Sequence, residues 1–200
     1  MGRPSKFDRE EAIETAMQAV WSDGYEQASV KALAELLGIT RSSFYNAFGS
    51  REALFAEIVK RYAALSPDAP LHGDISGPVL PLLQAVFRNI CRARAADPEG
   101  RGCIIVNTLT EICPSPEEPG PMLERLVMSS TRRIEALLTT AKARGELRSS
   151  ADPHALALAM QNLMIGLNVL CKVVRDEDEL WLLTKTTMKG LGLLPESSHA

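Results

Sequence analysis

The stretch SVKALAELLGITRSSFYNAF, residues 29–48, has the pattern of two short helices joined by a glycine turn. Ser29 is a helix-capping residue type, and the apolar residues after it recur on one helical face: Val30, Leu33, Leu36 and Leu37. Gly38 ends this helix, because only glycine enters the left-handed backbone region without a Cβ penalty. The chain then turns before Arg41 opens a second helix. This pattern predicts a helix-turn-helix.

The second helix has a divided surface. Phe44 and Phe48 are four residues apart and are predicted to anchor the helix to the core. The residues left on the outer face are Arg41, Ser42, Ser43, Tyr45 and Asn46. This face is therefore predicted to contact the groove and the phosphates of duplex DNA.

The composition indicates a folded chain without a membrane segment. The chain has 200 residues, of which 46% are hydrophobic and 24% charged, enough for one sizeable core or a small and a medium domain. No apolar run approaches the roughly 18 residues that span a bilayer, and the start lacks the apolar centre of a secretory signal. A cytoplasmic location is expected.

The four cysteines form no C-x-x-C pair, which predicts reduced thiols and neither a metal site nor a cofactor. Cys91, Cys113, Met122 and Met128 have soft side chains that suit copper(I), but their spacing matches no known site. The sequence also lacks a P-loop, a dinucleotide fingerprint and a nucleophile elbow. An enzyme is not predicted.

The net charge is −3, and residues 1–65 contain eight Lys and Arg against nine Asp and Glu. Affinity for phosphates must therefore depend on where the cations lie rather than on their number. The terminal Gly2, Arg3, Pro4 and Lys6 have two interpretations of equal weight: a basic arm that enters a minor groove, or a loose chain end.

Helical periodicity predicts an all-α chain of about nine helices. Four helices are predicted in residues 1–65, a helix-turn-helix DNA-binding domain with a connecting helix. Residues 66–200 are predicted to form a second helical domain, and the family resemblance given below implies that this domain binds an effector and dimerises. Its helices are predicted at about 75–97, 101–112, 120–144, 152–174 and 177–192.

The last two predicted helices are unusually apolar. Residues 154–174 are hydrophobic around most of the helix circumference, and Leu180, Trp181, Leu182, Leu183 and Met188 add a second such surface. One small domain would have difficulty covering both surfaces, so the last two helices are predicted to form a homodimer interface. The alternative is a thick core within one chain.

The segments GRPSKFDREEAI (residues 2–13) and GYEQASVKALAELLGITRSSFYNAFGSREALF (residues 24–55) closely resemble the DNA-binding domain of TetR/AcrR-type transcriptional regulators. The resemblance implies an all-helical homodimer that binds successive major grooves of operator DNA. It points to these contact residues: Val30, Lys31, Arg41, Ser42, Ser43, Tyr45, Asn46 and Arg51. Relatives often carry Lys where this chain has Arg51.

The chemistry of these side chains suggests separate roles. Arg41 suits guanine and Asn46 suits an adenine edge, whereas Lys31, Tyr45, Arg51 and the serine hydroxyls suit phosphates. Tyr45 has packing as an alternative role. Ser42 and Ser43 have the alternative of bonding only within the first turn of their helix.

RGCIIVNTLTE, residues 101–111, resembles the C-terminal subgroup that includes the copper-responsive ComR-type repressors. In it, Cys103 lies just inside a predicted helix start and two residues after Arg101, where a thiolate would be favoured, and the alternative is a buried core cysteine. Asn107 and Thr110 either face an effector cavity or bond to nearby backbone.

These features predict a transcriptional repressor that a small-molecule or thiol-reactive effector releases from double-stranded operator DNA. Two alternatives remain: a ligand-activated activator, and a helical small-molecule-binding protein that has lost DNA binding.

Overall fold

A computed structural model describes residues 8–194 of the chain. Within them the structure has nine α-helices and no strand, which confirms the all-α prediction. The helices are α1 Arg9–Asp23, α2 Val30–Leu36, α3 Arg41–Phe48, α4 Arg51–Leu65, α5 Val79–Ala95, α6 Ile104–Ile112, α7 Gly120–Ala143, α8 Pro153–Leu170 and α9 Glu177–Gly190. A short 3₁₀ helix, Ala69–His72, precedes α5. None of the described helices is long and apolar enough to cross a membrane.

The helix-turn-helix forms as predicted, with a cap at each helix start. Ser29 Oγ accepts the backbone N–H of Ala32 at 3.2 Å and begins α2. Gly38 has φ +65°, the left-handed conformation that the turn requires. Thr40 Oγ1 then accepts the backbone N–H of Ser43 at 3.1 Å, so Thr40 is the N-cap of α3.

The chain folds into two compact units. Among the described residues, unit 1 comprises residues 8–65 and Cys103–Met122, and unit 2 comprises Ser66–Gly102 and residues 123–194. The first segment of unit 1 ends at the predicted domain boundary. Unit 1 also includes α6, which the sequence had assigned to the second domain.

In unit 1, α1 and α4 pack against each other, and α6 contacts both. Four aromatic or aliphatic side chains from α3 and α4 are almost fully enclosed: Phe44, Leu54, Phe55 and Ile58. Trp21 and Tyr62 add an edge-to-face ring contact between α1 and α4, with centroids 5.4 Å apart. The predicted anchoring roles of Phe44 and Phe48 are confirmed, since both rings are buried.

In unit 2, α5 is the central helix and contacts both α8 and α9. Its inward side chains Leu83, Phe87 and Ile90 are fully buried in one apolar cluster with side chains of α7, α8 and α9. Arg88 ties α9 to α5, because its guanidinium lies 5.0 Å from the centre of the Trp181 ring and 3.0 Å from a carboxylate oxygen of Glu177.

Three predicted helix boundaries are wrong by three or four residues. α6 begins at Ile104 rather than 101, because Gly102 has φ +74° and a Cβ there would collide with the carbonyl of Asn168. α5 begins at Val79 rather than 75, directly after Pro78. α8 ends at Leu170, and the residues up to 173 form a turn rather than the predicted last helical turn.

Candidate nucleic-acid interface

The outer face of α3 is exposed along its length. Arg41, Ser42, Ser43, Tyr45 and Asn46 are all solvent-exposed, and so is Lys31 on α2. Within residues 8–194, the side chains of Lys31, Arg41 and Asn46 make no hydrogen bond or ion pair. Their donors are therefore available to an external partner.

Two of the exposed residues on α3 also have contacts within the unit. The ring of Tyr45 is 52% exposed and makes an edge contact with the Phe44 ring, with centroids 5.9 Å apart. The Ser43 hydroxyl lies 2.9 Å from Thr40 Oγ1, so it takes part in the cap of α3. Ser43 thus bonds within the first turn of α3, which was the alternative role predicted for it. It also lies on the outer face of the helix.

Two other cations of unit 1, Arg9 and Arg61, are paired with carboxylates. Arg9 makes a two-pronged ion pair with Glu57, with N–O distances of 2.5 and 2.7 Å. Arg61 donates to Glu14 at 2.7 Å and to Glu10 at 3.0 Å. Glu10 and Glu14, two of the nine acids in residues 1–65, are thus partly neutralised.

Arg51, at the start of α4, is held in place by two side chains. Its guanidinium lies over the Tyr25 ring, 4.2 Å from the centroid, and its Nε lies 3.6 Å from a carboxylate oxygen of Glu52. Tyr25 is only 2% exposed and packs against Phe55, with centroids 4.8 Å apart. Burial raises the pKa of the Tyr25 phenol to about 12.

The backbone of Tyr25 is bound by a residue from α6. Glu111 accepts the N–H of Tyr25 at 2.9 Å and the N–H of Glu26 at 2.7 Å through its two carboxylate oxygens. Gly24 makes this approach possible, because a Cβ there would lie 3.0 Å from Glu111 Oε1 and its φ is +92°. Glu111 was not among the predicted site residues, and its signal in the sequence is a lone carboxylate at the end of an apolar helix.

The predicted effector residues Cys103, Asn107 and Thr110 belong to unit 1, near or on α6. Cys103 is the N-cap residue of α6 rather than a residue inside the helix, and its side chain is buried and makes no cap bond. Thr110 is exposed, and its hydroxyl donates to the carbonyls of Val106 and Asn107. Asn107 is half-buried.

Unit 2 has polar side chains in its interior that the sequence analysis did not single out. Arg94 of α5 donates to Asn168 Oδ1 of α8 at 2.5 Å, and both are buried. Two turns before Asn168 on α8, Gln161 is buried and its Oε1 has no hydrogen-bond partner. The repeat of Phe87, Cys91 and Arg94 on one face of α5 was the signal for a buried arginine.

Comparison with known families agrees with this architecture. The family description "Bacterial regulatory proteins, tetR family" matches residues 12–58, which include the helix-turn-helix. The description "Tetracyclin repressor-like, C-terminal domain" matches residues 79–186, more than half of the chain. The chain therefore belongs to the TetR family, and it is a DNA-binding transcriptional regulator.

Individual relatives match over nearly the whole chain. ComR of Escherichia coli K12, an HTH-type transcriptional repressor, is 26% identical over 191 residues, which cover 94% of this chain and 90% of ComR. YezE of Bacillus subtilis 168, an HTH-type transcriptional regulator, is 29% identical over 182 residues, covering 90% and 94% of the two chains. These relatives are regulators, which agrees with the prediction that the chain is not an enzyme.

A solved structure provides the corresponding DNA complex. A cysteine-substituted form of the TetR family regulator CifR, bound to 26-bp double-strand operator DNA, superposes with a TM-score of 0.81 and 28% identity. The alignment covers 94% of this chain and 98% of CifR. DNA is therefore the partner class of this family of regulators.

Proposed function

We propose that this chain is a homodimeric repressor that binds a near-palindromic operator and is released by an effector. The observation that carries the proposal is the exposed face of α3, where Arg41 and Asn46 have unused donors. In this proposal Arg41 binds guanine and Asn46 binds adenine. The phosphate contacts come from Lys31, Ser42, Ser43, Tyr45 and Arg51.

A homodimer is supported by the outward faces of α8 and α9. Leu158 and Val169 of α8 are about half exposed, and Leu182 of α9 is 65% exposed. Val173, in the turn after α8, and Leu183 of α9 are exposed as well, and a concentration of exposed apolar side chains is typical of an interaction site. A second copy of α8 and α9 would bury this surface in a symmetric contact.

The dimer is tested by sedimentation of Leu182→Glu. A buried carboxylate at each copy of this position disfavours association, so a shift to monomer is expected. Leu65→Glu is the matched control, because Leu65 is 73% exposed and lies outside α8 and α9. If the Leu182→Glu protein remains dimeric, the dimer does not form through this surface of α8 and α9.

Repression is supported by the relatives, since ComR is named a transcriptional repressor. The test begins with capture of genomic fragments at low salt, followed by a reporter driven by a captured fragment. Reporter output that rises when the chain is deleted supports repression, and output that falls indicates the activator alternative. No captured fragment would favour a binding protein that has lost DNA recognition.

A small-molecule effector is supported by Gln161 in unit 2. A buried acceptor without a partner costs about 1–3 kcal/mol, and a ligand with a hydroxyl or amide donor would remove that cost. A thiol-reactive effector would instead have to reach Cys103, which is 8% exposed. Release of DNA that survives Cys103→Ser but is lost in Gln161→Met would favour the small molecule.

A further inference from the structure

Unit 1 contains a connected set of side chains that links the end of α6 to the start of α4. Glu111 on α6 binds the backbone of Tyr25 and Glu26, and the Tyr25 ring lies against the guanidinium of Arg51. All these residues lie in the same compact unit. None of the contacts involves α2 or α3, so the set lies outside the helix-turn-helix itself.

The first link is a carboxylate bound by two consecutive backbone N–H groups. The two bonds, of 2.9 and 2.7 Å, use one oxygen each. Hydrogen bonds to an ionised acceptor are stronger than neutral ones, and a pair of them fixes orientation as well as distance. Glu111 therefore determines where the chain runs directly after Gly24, and with it the direction in which the Tyr25 side chain leaves the backbone.

The second link is the ring of Tyr25. The ring packs against Phe55 and is nearly inaccessible to solvent, and its hydroxyl donates to Glu52 Oε1 at 3.4 Å. The Arg51 guanidinium lies 4.2 Å from the ring centroid, within the range of a cation–π contact, and its side chain remains 29% exposed. The ring thus restricts the rotamers of Arg51 while leaving part of the guanidinium open to solvent.

We propose that Glu111 and Tyr25 are positioning residues that hold Arg51 ready to bind a DNA phosphate. A long side chain loses conformational freedom when it binds, and a platform that restricts it beforehand reduces this loss. The inference rests on the proposed function, because it takes Arg51 as a phosphate contact. It adds a residue of α6, outside the DNA-binding domain predicted from the sequence, to the determinants of DNA affinity.

The experiment measures binding to a duplex of random sequence at several salt concentrations, by fluorescence anisotropy with the full-length protein. Each phosphate contact contributes about 0.9 to the slope of log affinity against log salt. Arg51→Ala should lower the slope by about that amount, and Glu111→Ala should lower it in the same direction. In the Arg51→Ala background, Glu111→Ala should have no further effect, because the two act through one contact.

The control is Glu117→Ala, which removes an equal charge from an exposed position in the same segment of unit 1. It should leave the slope unchanged, which separates positioning from the loss of a negative charge near DNA. A second pair of variants tests the ring directly. Tyr25→Phe keeps the ring and should retain the slope of the wild type, whereas Tyr25→Leu keeps an apolar side chain and should lower it.

If Glu111→Ala does not fold, Glu111→Gln replaces it, because the amide keeps one acceptor oxygen and should give an intermediate slope. An unchanged slope in the folded Glu111 variant overturns the inference while the DNA-binding proposal stands. The inference is also overturned if Glu111→Ala lowers the salt slope equally in the wild-type and the Arg51→Ala backgrounds. If Arg51→Ala has no effect while Arg41→Ala abolishes sequence preference, only two claims fail: that Arg51 contacts a phosphate, and that Glu111 and Tyr25 position it. If neither variant changes binding, the proposed function fails as well.

Discussion

Unit 1 contains two sets of cations with different surroundings. Arg9 and Arg61 are bound by Glu57, Glu10 and Glu14. Lys31 and Arg41 are exposed and have no partner within residues 8–194. The sum of charges in residues 1–65 is slightly acidic, yet three of the acids pair with Arg9 and Arg61, and none pairs with Lys31 or Arg41. The position of an unpaired charge thus says more about DNA binding than the net charge does.

The comparison predicts its largest effect at Arg41. Arg41→Ala should weaken binding to a captured genomic site by about 1–3 kcal/mol, because two parallel donors to one guanine are lost. Binding to a scrambled duplex should change less. Anisotropy titrations on both duplexes measure the difference, and an equal loss on the two would contradict a base-reading role for Arg41.

Lys31 should show a smaller effect that does not depend on sequence. Lys31→Ala removes one unpaired cation, so affinity for cognate and scrambled duplexes should fall alike and the salt slope should drop by about 0.9. The same titrations at several salt concentrations provide the measurement. A loss of affinity for the cognate duplex alone would show that Lys31 contacts a base rather than a phosphate.

Arg9 should behave in the opposite way to Lys31, although both are cations of unit 1. Arg9→Ala breaks a half-exposed ion pair with Glu57, so the free energy of unfolding should fall by about 1 kcal/mol or less. Its salt slope for DNA should stay that of the wild type. Urea unfolding measures the stability, and anisotropy measures the salt slope. If Arg9→Ala lowers the salt slope as much as Lys31→Ala does, the paired and unpaired cations do not differ in DNA binding.

The smallest expected effect is a pH dependence at Glu14. Hydrogen bonds from Gln18 and Arg61 lower the pKa of the Glu14 carboxyl below its ordinary 4.5. The native state therefore favours the ionised form, and the resulting stability is present above pH 4.5 and lost as the pH falls through the lowered pKa. Urea unfolding should find Glu14→Gln less stable by a few tenths of a kcal/mol near neutral pH. A difference from the wild type that persists at strongly acid pH would rule out this cause.

The sequence predicted the parts of the fold that short-range chemistry determines. The two ends of α2 were predicted from Ser29 and Gly38, because capping and a positive φ depend on one or a few residues. The burial of Phe44 followed from helical periodicity alone. These local signals were enough to predict the helix-turn-helix and the exposed face of α3.

The sequence did not predict contacts between residues far apart in the chain. Glu111 binds the N–H of Tyr25 across 86 residues, and no spacing rule connects two such positions. The assignment of α6 to unit 1 was missed for the same reason, since periodicity identifies a helix but not its packing partners. The stacking of Arg51 on Tyr25 depends on that packing too. The sequence therefore indicated Arg51 as a phosphate contact but not the side chains that hold it in position.

In the proposed complex, the exposed face of α3 lies in the major groove twice, once for each copy of the chain. Dimethyl sulfate footprinting on a captured genomic site tests it most directly, because the reagent methylates guanine N7 in that groove. We expect two protected clusters about 10 base pairs apart, with one guanine in each cluster losing protection in Arg41→Ala. A single protected patch, or protection that Arg41→Ala leaves intact, would contradict it.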